Sequence, residues 1–227
     1  MKRLTTTTVV AGILALTGVA QAAPQLERVR GTIESAEGGS VAVKTGDGKT
    51  ETIQLGDAKY VYVVKSSLDA VKDGAFIGTA TKGENPLTAL EVVVFPDSMR
   101  GTGEGHYAWD AIQDQTQGGS RVKSAMTNGT VKSSSEGGAP RVKSAMTNGT
   151  VAKSSGASGE KTLTVTYDKE GSKTIVVPPS APIVAFEPAD KSILTPGSKI
   201  FAVAAKDGSK LDGKLIAVGK DGLTPPM

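Results

Sequence analysis

From residue 29 onward, apolar and polar positions alternate with a period of two over short runs. Val41-Ala42-Val43-Lys44 and Leu163-Thr164-Val165-Thr166-Tyr167 are clear cases. That period puts successive side chains on opposite faces of an extended chain, so each run reads as a half-buried β-strand. Turn residues such as Asp47-Gly48 and Glu170-Gly171 separate the runs. The pattern predicts strands over 29–33, 41–44, 50–55, 60–64, 76–80 and 87–95. It predicts a second set over 147–151, 163–167, 173–177, 182–186, 200–204 and 210–218.

The two sets share one plan. After the fourth strand, Leu68 to Gly74 and Ser192 to Gly197 each place apolar anchors ahead of a Gly that can take positive φ. One helical turn near 67–71 is the only helix expected beyond the N-terminal leader. Six strands in about 70 residues suit a small closed barrel, which leaves no exposed sheet edge. The expected fold is all-β, with two tandem six-stranded OB-like barrels over 27–96 and 144–220. A Gly/Ser-rich linker at 97–143 would join them, and a tail at 221–227 would follow.

An eleven-residue string, Arg121 to Val131, recurs identically at 141–151, an offset of 20. One barrel has room for one opening strand. The second copy lies nearer the strand at 163–167, so it is assigned to the barrel and the first copy to the linker. Two equal strings for one slot leave the register weakly specified.

Residues 1–22 read as a secretory signal peptide. Lys2 and Arg3 precede a short apolar run, and Ala20-Gln21-Ala22 offers small residues for cleavage. The run is too short to span a bilayer, and no comparable segment follows, so no transmembrane segment is expected in the mature chain. Removing the leader lowers the net charge of +3 by the two charges of Lys2 and Arg3, which weakens any pull on polyanions. With Cys 0, there is no disulfide, thiolate nucleophile or thiolate metal ligand. The expected location is periplasmic or secreted.

Several segments resemble a known family. They are Val29-Arg30-Gly31-Thr32-Ile33, Phe95 to His106 with Trp109-Asp110, Ala125-Met126-Thr127-Asn128 with its copy, and the tail Val218 to Met227. Together they resemble a family of small proteobacterial secreted proteins built from tandem barrel domains of unknown function. Members often carry the label of a metal ABC transporter permease. That label implies several apolar spans, and this chain has none after the leader. The resemblance implies fold and compartment, and no activity. The family pattern has one copy of the duplicated string.

The segment from Arg100 to Asp110 concentrates unusual chemistry. It holds the only His and the only Trp, beside a Tyr, two carboxylates and three glycines. Gly-rich chain lets backbone and side chains approach a ligand closely. Arg100, Glu104, His106, Tyr107, Trp109 and Asp110 are therefore the candidate ligand-binding residues. The competing reading is that Tyr107 and Trp109 pin an interdomain linker onto a barrel. A metal reading takes His106, Glu104 and Asp110 as donors, with Met99 and Met126 as soft ligands, for Cu or Zn. The Gly run lacks the Gly-Lys-Ser/Thr ending of a phosphate loop. No Gly-x-Ser-x-Gly elbow accompanies the single His, which leaves a hydrolase as the remaining alternative. The aromatics Tyr60, Tyr62, Phe76, Phe186 and Phe201 fall in matching apolar strands, which reads as core and argues against nucleic-acid binding.

The sequence thus points to a non-enzymatic envelope binding or scaffold protein. Its partner would be an envelope protein or a small ligand, and no cofactor is predicted outside the metal alternative.

Overall fold

The computed structural model describes residues 25–116, 118–136, 159–168 and 171–227. The expected leader and the second copy of the string, at 141–151, lie outside them. The described chain is all-β. Its strands are β1 (Gln25–Glu37), β2 (Ser40–Thr45), β3 (Thr50–Gln54), β4 (Lys59–Lys65), β5 (Phe76–Lys82), β6 (Leu87–Val94), β7 (Gly105–Gln113), β8 (Arg121–Glu136), β9 (Lys161–Tyr167), β10 (Gly171–Val177), β11 (Ile183–Ala189), β12 (Lys199–Asp207) and β13 (Lys210–Gly219). The helical turn expected near 67–71 is a 3₁₀ turn at Leu68–Ala70. Among the described residues, no helix is long and apolar enough to cross a membrane.

All thirteen strands join one hydrogen-bonded sheet, ordered β10-β9-β8-β5-β6-β11-β4-β13-β12-β1-β2-β3, with β7 added at the β8 edge. Two parallel pairings, β10 with β6 and β13 with β3, close this ribbon into two rings. One ring contains β1, β2, β3, β12 and β13. The other contains β5, β6, β8, β9 and β10. The antiparallel pair β4–β11 bridges them.

This topology corrects the tandem arrangement. Each ring takes three strands from one half of the sequence and two from the other. The reason lies in β4 and β11, which pair with each other at the centre. Chain leaving either strand emerges against the opposite ring and completes it there. Alternation and turn signals specify strands and their faces, but two halves with one plan present interchangeable partners.

The halves match in register detail. A β-bulge follows Ile33 in the β1–β2 pair and Val131 in β8–β9. Another lies at Val203/Ala204 in β12–β13 and at Ala80/Thr81 in β5–β6. The apolar faces fill the rings. Ile33, Val41, Val43, Ile53, Ile216 and neighbours form one core. Ile77, Val92, Val131, Leu163, Val165, Ile175 and neighbours form the other. A third cluster, with Val63, Val93, Phe186 and Phe201, lies where the rings meet.

The linker at 97–143 is also corrected, because it contributes β7 and β8. The first copy of the string, not the second, supplies the described opening strand of the second half. A tight turn explains the choice. Asp114 N–H bonds to Ser120 C=O, and Gly119 N–H to Asp114 C=O, which sets Gln113 opposite Arg121. Closing so short a loop costs little entropy, and it zips β7 onto the adjacent copy.

Candidate functional site

β7 leaves the ring that contains β8 and reaches the other ring's wall. Its polar anchor is Asp110, whose carboxylate accepts from Arg28 at 3.0 Å and from Arg30 at 2.7 Å, both on β1. The Arg28 guanidinium lies over the Trp109 ring, 3.8 Å from its centroid. Trp109 in turn packs near Phe201, with centroids 6.4 Å apart. β7 therefore straps the two rings together.

Beneath the strap and beside the loop at 100–105 lies a cavity of about 690 Å³. That size is typical of small-molecule sites. Its inner wall is apolar, with Val93, Phe95, Met126, Phe186, Phe201 and Leu215. Arg28, Asp57, Lys59, Glu104 and Lys214 supply its charge. Leu26, 59% exposed, and Tyr107 also line it.

The bulge in β13 explains how Lys214 gets there. Val203 pairs with Leu215 and Ala204 with Gly213, so Lys214 is the extra residue. A bulge breaks strict alternation and re-aims a side chain, which lets both Lys214 and Leu215 line one cavity. The loop is held by Asn128 on β8. Its Nδ2 donates to Gly103 C=O at 2.9 Å and reaches Tyr107 Oη at 3.2 Å. Asn128 Oδ1 and Trp109 Nε1 are buried with no hydrogen-bond partner among the described residues.

The residues singled out in the sequence divide. Glu104, Tyr107, Trp109, Met99 and Met126 line the cavity. Asp110 serves the strap. Arg100 turns elsewhere, donating to Gly74 C=O at 3.0 Å and to Asp97 at 2.8 Å, with its guanidinium over Phe76. His106 sits opposite Thr127, with Nδ1 and Oγ1 2.8 Å apart, and stacks on Tyr167. Burial, aided by the Lys173 charge, lowers its pKa below the usual histidine value. His106, Glu104 and Asp110 do not converge, and no group of three or more His, Asp or Glu that could hold a metal occurs among the described residues.

Sequence reasoning missed Arg28, Lys59 and Lys214. Lys214 sits in a strand read as core framework, and Arg28 and Lys59 lie one residue ahead of the strands expected at 29–33 and 60–64, so nothing local marked them. Phe186 and Phe201 are core, as their placement suggested, yet they also wall the cavity. Phe76 and Phe201 lie in corresponding strands, β5 and β12, but not at corresponding positions. Arg30 pairs with Phe201 as Asn128 pairs with Gly78, so Gly78 stands where Phe201 stands in the other ring. No family model, curated protein or solved structure matches this chain.

Proposed function

We propose that this protein is a non-enzymatic binding protein of the bacterial envelope that holds a small apolar ligand between its two rings. One observation carries the reading: the cavity of about 690 Å³ under the β7 strap, with an apolar wall and a charged minority. The rings themselves read as small OB-like barrels with exchanged final strands, and the first 22 residues as an export leader.

Trp109 is the single Trp and lines the cavity, so its emission reports occupancy. Titration with 1-anilinonaphthalene-8-sulfonate and straight-chain alcohols should give saturable, one-to-one changes. Val203→Phe, which narrows the cavity, should weaken them. A flat Trp109 signal across that panel overturns the reading. N-terminal sequencing of the protein from cells should begin at Ala23, and an intact leader counts against export.

A second reading has its own support. Met99, Met126 and Met227 all line this cavity, and thioethers are soft donors suited to Cu(I). Calorimetric titration with Cu(I), Cu(II) and Zn²⁺ tests it. Saturable Cu(I) binding that survives His106→Ala would support a thioether site.

A further inference from the structure

We infer that the ligand is a singly charged anionic amphiphile, with its chain against the apolar wall and its head group at Lys59 and Lys214. This rests on the cavity reading above and names its ligand class. β4 and β13 run parallel with Leu215 opposite Lys59, so Lys214 stands beside that pair. Both lysines line the cavity and are exposed. Neither forms an ion pair with any described residue, so both charges are free to meet a ligand.

Neighbouring like charges across paired strands repel each other, and an anion held between them removes that cost. A carboxylate there would gain charge-assisted hydrogen bonds. Asp57 and Glu104 are the two carboxylates of the lining, against three cations with Arg28. Asp110 does not cancel this excess, because Arg28 shares it with Arg30. A cationic head group has a poorer case. The aromatic face best suited to an ammonium belongs to Trp109, and Arg28 already covers it at 3.8 Å. The wall accounts for the chain, since each methylene taken from water improves affinity by about four-fold.

The test compares dodecanoate and dodecyltrimethylammonium below their micelle concentrations, and dodecanol below its solubility limit, by Trp109 emission and calorimetry. Dodecanoate should bind about ten-fold more tightly than dodecanol, and the ammonium more weakly than either. The double variant Lys59→Gln, Lys214→Gln should lose that ten-fold advantage of dodecanoate over dodecanol. Both side chains are exposed, so the fold is not at stake, and an unchanged thermal transition checks this. Equal affinity for dodecanoate and dodecanol, or an advantage that survives both substitutions, overturns the head-group assignment and leaves the apolar cavity standing. Binding of none of the three overturns both.

Discussion

Gly31 and Gly129 occupy the same place in the two rings. A Cβ on Gly31 would run into the carbonyl of Lys44 with Val43 Cγ1 beside it at 2.8 Å. A Cβ on Gly129 would meet the carbonyl of Thr166 with Val165 Cγ1 at 2.9 Å. At both sites the neighbouring strand's backbone comes too close for any side chain, two residues before the bulge that follows Ile33 or Val131. Close backbone approach is what reserves a strand glycine.

Gly31→Ala and Gly129→Ala should therefore each destabilise by about 1–3 kcal/mol, the range for overpacking that backbone must absorb. Urea unfolding of the two variants measures it. The costs should agree, since the surroundings agree. If one variant matches wild type, the two halves are not equivalent at this point.

Gly74 and Gly197 call for glycine for a different reason. Their φ angles are +84° and +89°, and an added Cβ would meet nothing within 4 Å at either. The cost of Gly74→Val or Gly197→Val is thus conformational, at least about 1 kcal/mol each. Thermal melts should show similar losses, and a valine tolerated at either site would contradict the paired turns.

These four glycines mark how much the sequence disclosed. The turn glycines Gly74 and Gly197 were readable because a turn with positive φ is a local demand, whereas Gly31 and Gly129 answer to a paired strand and Gly129 was read as linker. Eleven of the twelve expected runs located strands; the twelfth, 147–151, lies outside the described residues, and β7 and β8 arose in the segment read as linker. What stayed hidden was association. Val63 pairs with Phe186 across the centre, and no local signal distinguishes this exchanged arrangement from one in which each half closes alone. The cavity shared that obscurity. Tyr107 and Trp109 stood out by composition, but Lys214 reaches the site through a bulge, and Phe186 stands on β11, a bridging strand that belongs to neither ring.

Deleting residues 121–140 should leave a folded protein. The deletion removes β8 and brings the identical string at 141–151 directly after Ser120. If that string takes the β8 register, the connection to β9 becomes a four-residue hairpin loop at 157–160, a favourable length. The shorter loop costs slightly less to close, so stability should match or slightly exceed that of the parent. A broad, non-cooperative melt would show that residues beyond the string are needed for the slot.

Glu91 sets a pH dependence of opposite sign to that of most carboxylates. It lies in β6 with 1% exposure, and both carboxylate oxygens are buried with no hydrogen-bond partner among the described residues. Burial pushes its pKa up to about 8, partly opposed by the Arg30 charge. In the unfolded chain the group titrates near the ordinary glutamate value, about 4.3. Between those two pH values the folded protein holds a proton that the unfolded chain has released. Stability is then full below about pH 4.3 and falls by up to about 1.4 kcal/mol per pH unit as pH rises through that window, levelling above about pH 8. Glu91→Gln keeps the shape and removes the titration. Urea unfolding at pH 5, 7 and 9 should show the wild type losing stability relative to Glu91→Gln as pH rises. Parallel pH profiles for the two proteins would mean that Glu91 is already ionised in the fold, with the Arg30 charge offsetting its burial.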